Sequence, residues 1–358
     1  MKKNIIALAV ASAIAAPVAM ADAPVVYGQI NVAIDSLSGD QTVVDTSANK
    51  LQPEGMKTTD RDSRFGIKGS EDLGNGLKAV YKMEFGVKVG DSLGKGSDST
   101  FSGRNAYVGL AGGFGTVLVG RHDSPFKMSK PKDLFGDSTY ADIAKTTMTG
   151  KLGAKGKAGE NRFDDVVAYV SPSFAGIKLV VAGVGAEDGT SDSNLSNAYS
   201  AAAMYGSKKK GLYLAAAVDH ADNTYMGSAT QEWDHTRLSA QYATGGLIAT
   251  GIWQDFNAKT ADGKEGTNIQ VGLGYKMGKF MPKVKYSTTD FKTSSYQDGS
   301  AYALGLNYAL GKKTTAYVEY ANSDKDMQTA AFTNSKGDTT GGTPDSVSAL
   351  SVGMVHKF

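Results

Sequence analysis

The chain has no cysteine and only 8 prolines in 358 residues. The missing cysteine excludes a small exported domain stapled by disulfides, and it excludes thiolate metal sites. Scarce proline rules out a collagen or a proline-rich linker. An excess of one charge is missing too. Lys2 and Lys3 account for two of the 38 Lys+Arg, and residues 1–21 hold no Asp or Glu, so the remainder balances at 36 against 36. A nucleic-acid binder would show a basic excess. Beyond residue 21 no run reaches the roughly 18 apolar residues of a membrane-spanning helix.

What is present begins with an export leader. Lys2 and Lys3 precede an apolar, alanine-rich stretch, and Ala19-Met20-Ala21 reads as the small-x-small cleavage site. We therefore expect a signal peptide over 1–21 and one domain over 22–358. Glycine is abundant, at 44, alongside 17 Tyr, 13 Phe and 2 Trp. That mixture suits a large sheet with many tight turns. The slightly negative mean hydropathy argues against a helical membrane protein. It fits barrel strands, which show lipid half their residues and water the other half.

Strands are legible by alternation. Val26, Gly28, Ile30, Val32 and Ile34 share one face, and Tyr27, Gln29, Asn31, Ala33 and Asp35 the other. Leu77, Ala79, Tyr81, Met83, Phe85 and Val87 alternate with Lys78, Val80, Lys82, Glu84, Gly86 and Lys88. Ile269, Val271, Leu273 and Tyr275 alternate with Asn268, Gln270, Gly272 and Gly274. Short connections at 72–75, 112–115, 172–175, 207–211, 243–246, 277–280 and 309–313 take turns with long polar ones. The long ones are 37–62, 89–100, 122–161, 187–197, 221–232, 257–267, 291–299 and 323–346. Short and long connections together join about sixteen strands. The reading is all-β: a closed antiparallel transmembrane barrel, short turns in the periplasm and long loops outside, in the cell outer membrane.

Several other signals carry less. Arg121-His122-Asp123-Ser124 sets His, Asp and Ser side by side, whereas a catalytic triad converges from separate places. His220, His235 and His356 show no metal-ligand spacing along the chain. Lys208-Lys209-Lys210 reads as a solvated periplasmic turn. No cofactor, metal or enzymatic chemistry is expected.

Certain stretches are similar to a known family. Asp62-Ser63-Arg64-Phe65-Gly66-Ile67-Lys68-Gly69-Ser70-Glu71-Asp72-Leu73-Gly74-Asn75-Gly76 resembles the second strand and first turn of the general trimeric porins of Gram-negative bacteria. Gly103-Arg104-Asn105-Ala106-Tyr107-Val108-Gly109-Leu110 and Phe114-Gly115-Thr116-Val117-Leu118-Val119-Gly120-Arg121 resemble their fourth and fifth strands. Ser171-Pro172-Ser173-Phe174-Ala175-Gly176 resembles a turn, and Val355-His356-Lys357-Phe358 the C-terminus. The resemblance implies a homotrimer of sixteen-stranded barrels whose long third loop folds into the lumen. It implies a basic constriction wall at Arg64, Arg104 and Arg162, with Arg121, Lys68 and Lys82 added by position and alternation. The acidic loop side falls on Asp133 and Asp137, in Lys132-Asp133-Leu134-Phe135-Gly136-Asp137. The family's Pro-Glu-Phe-Gly tip is not reproduced, and Lys127, Lys130 and Lys132 dilute the acidity. Phe358 becomes the signal read by the barrel-assembly machinery.

The function expected is passive diffusion of inorganic ions and small hydrophilic solutes, mildly favouring anions, among lipid and lipopolysaccharide. The alternative is a barrel serving as adhesin or structural anchor through its long loops.

Overall fold

A computed structural model describes residues 23–39, 55–89, 100–143, 160–184, 195–222, 232–259, 265–292, 298–324 and 346–358. The leader over 1–21 lies outside the described residues. Strands β1 (Val25–Gly39), β2 (Gly55–Asp60), β3 (Arg64–Gly74), β4 (Leu77–Val87), β5 (Phe101–Gly112) and β6 (Gly115–Asp123) come first. A single helical turn, α1 (Pro125–Met128), starts the third long connection, capped by the Ser124 side chain. Then follow β7 (Arg162–Val170), β8 (Ile177–Val184), β9 (Ala198–Gly206), β10 (Gly211–Ala221), β11 (Glu232–Thr244) and β12 (Leu247–Lys259). The chain finishes with β13 (Glu265–Tyr275), β14 (Phe280–Phe291), β15 (Gly299–Ala309), β16 (Thr314–Asp324) and β17 (Ser346–Lys357).

These segments form one sheet. From β3 onward each strand pairs with the next, and β17 returns to β1 from Gln29↔Lys357 to Gly39↔Val347. The sheet therefore closes and leaves no unpaired edge, which lipid would not tolerate. β2 and β3 lie end to end along β1, against Val32 to Leu37 and Val25 to Gln29 respectively. They are two parts of one strand, broken where Asp62 takes φ 53, so the barrel has sixteen strands. The first long connection is shorter than the sequence suggested, because alternation resumes at Gly55 and β1 runs on to Gly39.

The seven short connections all join neighbouring strands. Three contain a two-residue turn with both residues at positive φ: Asn75 and Gly76 (50 and 77), Ala175 and Gly176 (49 and 79), and Gly245 and Gly246 (55 and 94). That backbone matches the twist of a hairpin, and Asn and Gly are the residues that adopt it readily.

Burial runs opposite to that of a water-soluble protein. Val271 is 51% exposed while its neighbour Gln270 is 4% exposed. The outward row of β13 (Ile269, Val271, Leu273, Tyr275) is apolar, and the inward row is polar or glycine. This is the pattern of a barrel with lipid outside and water-lined walls within.

Apolar contacts inside the barrel are confined to patches. Leu118, Phe163, Val166, Val184, Trp233 and Phe256 form one. Two others receive the third connection: Phe126 packs with Ala202 and Ala217, and Leu134 and Phe135 with Ala303 and Ala321. Small inward side chains leave room there. A Cβ at Gly305 would lie 3.0 Å from the Phe135 ring, and one at Gly274 3.2 Å from a Leu134 methyl. These contacts put the described part of the third connection against the inner wall.

Candidate functional site: the inner wall and the third loop

The pleat sends Gly66, Lys68 and Arg64 of β3 to the same face as Tyr27 and Gln29 of β1. Lys82 and Glu84 of β4 follow in register with Lys68 and Gly66. All of them point inward. Glu84 gathers three donors: Tyr27 Oη at 2.8 Å, Arg104 Nε at 2.7 Å and Lys82 Nζ at 3.2 Å. Lys68 is exposed and sits over the Tyr27 ring, 5.1 Å from its centroid.

Simple alternation puts Arg104 on the lipid face with Ala106, Val108 and Leu110. A β-bulge in the β4–β5 ladder, between Met83 and Phe85, resets the count. The extra residue turns Arg104 inward, where it reaches Glu84 and, at 3.8 Å, Asp62. Arg162 also faces in, bonded to Asp123 at 3.0 Å and to Asn105 at 2.8 Å.

Arg121 departs from the basic wall. It is in register with Ala106, and its side chain lies beside Gly103, which is in register with outward-facing Phe85. There it pairs with Asp164. Its charge is neutralised on the outer face near the rim, because the β6–β7 ladder shifts only after Gly120.

The two loop carboxylates also separate. Asp137 accepts from Arg64 Nη1 at 3.2 Å and from Gln29 Nε2 at 2.8 Å, so it does meet the basic wall. Asp133 does not. It accepts the backbone N–H groups of Phe135 and Ile143 at 2.9 and 2.6 Å and pairs with Lys285 at 3.4 Å. Burial pushes its carboxyl above the ordinary range, against the pull of Lys285. Asp133 is buried among the loop's own amides beside Lys285.

The loop is fastened by residues the sequence reading passed over. Arg61, fully buried, bonds Asp35 at 2.5 Å, Glu319 at 3.1 Å, Ser351 Oγ at 2.6 Å and the loop's Ser138 Oγ at 3.1 Å. Lys283 joins Glu319 at 2.7 Å to the Leu134 carbonyl at 2.8 Å, and Lys285 donates to the Ala141 carbonyl. At the loop's root, Arg237 bonds Glu160 at 2.6 Å and covers the Phe126 ring at 4.1 Å. Arg237, Lys283 and Lys285 stand on the inward rows of β11 and β14, whereas Arg61 fell within the connection read over 37–62. The sequence held no sign that a loop would cover them.

Two further arrangements arise across strands. His220, Glu232 and Asp234 come within 4.8 Å of one another, because Asp234 is in register with His220 and Glu232 is two residues away on the same face. Sequence spacing hid them. His220 Nδ1 is 2.7 Å from Asp234. The lysine turn 207–210 is not simply solvated either: Lys208 Nζ donates to the Met128 carbonyl at 2.8 Å.

Relatives agree with this architecture. The sequence pattern described as Gram-negative porin matches residues 7–328. The major outer membrane protein P.IB of Neisseria meningitidis serogroup B is 28% identical over 100% of both chains. That of Neisseria sicca is 29% identical over the same shares. Among solved structures, the anion-selective porin from Comamonas acidovorans superposes with TM-score 0.73 at 21% identity, covering 94% of this chain and 99% of that one. Salmonella typhi OmpF in complex with daunomycin gives 0.68 at 14% identity, covering 94% and 97%. A closed sixteen-stranded barrel with an apolar exterior, a polar charged interior and this match along its length belongs to the Gram-negative porin family, whose members sit in the outer membrane as water-filled channels for passive diffusion of ions and small hydrophilic solutes.

Proposed function

We propose that the channel favours anions, through a constriction formed between Asp137 on the third loop and the wall carrying Arg64, Arg104, Arg162, Lys68 and Lys82. The carrying observation is the charge inventory of that wall. Six cations (the five just named and Lys127) are offset by only four carboxylates, Glu84, Asp123, Asp62 and Asp137. One uncompensated charge about 6 Å from an ion is worth roughly 0.7 kcal/mol at the dielectric of water, about a threefold bias. Salt shortens its reach, so the preference fades as ionic strength rises.

Three companion statements belong to the same reading. The leader is removed after Ala21. Phe358 is the residue that the assembly machinery reads. The barrel works as a homotrimer, supported by an outward aromatic cluster on β3–β5 in which Phe65 lies 5.7 Å from Phe85 and 6.1 Å from Phe101.

Reversal potentials in asymmetric KCl test the preference. Wild type is expected to be mildly anion-selective. Arg64→Glu changes the wall by two charges and is expected to shift the anion-to-cation permeability ratio toward cations by on the order of tenfold. A cation-selective wild type would sink this charge assignment.

A further inference from the structure

Below the constriction, the third loop, the periplasmic turn 207–210 and the wall residues Met204 and Ile248 line an open cavity of about 800 Å³. Its polar lining is almost entirely cationic: Lys127, Lys130, Lys132, Lys208 and Lys209, against the single carboxylate of Asp123. Lys127 is matched to Asp123 at 2.9 Å and Lys130 to Glu160 at 3.4 Å. Among the described residues, no carboxylate pairs with Lys132, Lys208 or Lys209.

These cations are held in place by neutral groups. Lys208 donates to the Met128 carbonyl and lies over the Tyr213 ring, 4.9 Å from its centroid. Tyr213 Oη in turn donates to the Ser129 carbonyl at 2.9 Å. Gln241, buried on β11, accepts from the Lys132 backbone N–H at 2.8 Å and donates to the Lys208 carbonyl at 2.7 Å. One side chain thereby ties the loop to the turn and brings their lysines to one chamber. Burial and the nearby Lys130 push the Lys208 ammonium down to about 8, against the pull of Glu160.

We propose that this chamber is a binding station for multivalent oxyanions, phosphate-bearing solutes above all, at the periplasmic end of the permeation path. The inference rests on the channel reading and adds a ligand class to it. The chamber is far larger than one chloride needs, and its charges are spread around the wall. A divalent anion gains twice the Coulomb energy of a monovalent one from each lysine, and ammonium groups are established phosphate partners.

Single channels in planar bilayers bathed in KCl give the test, with potassium phosphate or potassium acetate added at neutral pH on the side of the short turns. Phosphate is expected to reduce the chloride current saturably at concentrations where acetate does not. The double variant Lys132→Gln/Lys209→Gln, which keeps the Lys132 backbone bond and both contacts of Lys208, should need on the order of tenfold more phosphate for the same reduction. Lys209→Glu, at an exposed turn position, should weaken it in the same direction. Phosphate acting no more strongly than acetate, or equally in wild type and both variants, would overturn the proposal. Reversal potentials in KCl alone separate the two readings. Cation preference together with phosphate block removes the constriction assignment and keeps the station, whereas anion preference without block removes the station alone.

Discussion

Lys208 shows how far a side chain's role depends on what covers it. In a bare turn it would be a solvated ammonium. Under the third loop it loses water, faces Lys130 and Arg237 of like charge, and has Glu160 as the nearby opposing carboxylate. With its ionisation near 8, it is charged below that pH and neutral above it. With sulfate, which stays divalent throughout, in place of phosphate, raising the pH from 7 to 9 should therefore weaken block several-fold in wild type. Lys208→Arg, which stays charged, should show no such loss. Equal pH dependence in both proteins would assign the effect to another group. Arg64 and Arg121 make the complementary point. Both are arginines on strands near the loop, yet one meets Asp137 inside and the other Asp164 outside.

The described part of the third loop takes its position from the wall. Arg61 is central to that hold. It satisfies Asp35 and Glu319, both buried, while reaching Ser138 on the loop. Removing one partner of a buried ionic network leaves uncompensated charge and costs about 3–5 kcal/mol. Arg61→Met should lower the temperature at which the detergent-solubilised barrel unfolds, and should add flicker to the open-channel current as the loop loosens. A variant with the wild-type unfolding temperature and a quiet current would show that the aromatic docking of Phe126 and Phe135 suffices. The glycines opposite Leu134 and Phe135 serve the same docking from the wall side.

For the whole barrel the critical event is closure. Phe358 and Gly28 exchange backbone hydrogen bonds at 3.1 and 3.2 Å, and the Phe358 ring lies over Gly28, where an added Cβ would come within 2.5 Å of it. The last residue thus helps seal the seam between the first and last strands, besides the role proposed for it in assembly. Deleting Phe358 should lower heat-modifiable trimer in the outer membrane while export continues. Normal trimer levels in the deletion would show that the seam and the assembly machinery do without it.

The barrel itself was legible in the sequence because strand orientation is local. Each peptide unit flips its side chain to the other face, so alternation alone placed Val271 outside, and Lys68, Lys82 and Arg64 inside. The lengths of the connections then implied closure. Local reasoning failed wherever the period slipped: the bulge that turns Arg104 inward inserts one residue, and no feature of the alternation announces it. It failed again for the contacts that tie the third loop to the wall, because those pair residues far apart in the chain, 73 positions for Arg64 and Asp137 and 152 for Lys285 and Asp133. Asp133 was read as a channel acid, yet Lys285 and the loop's own amides enclose it. Lys208 was read as a solvated charge and Lys132 as diluting the loop's acidity, yet Gln241 draws their backbones together. The pleat and the demands of lipid determined a sixteen-stranded channel from the sequence. Which charges face its water was decided by the bulge at Arg104 and by the docking of a loop, since both depend on neighbours that only the closed barrel brings together.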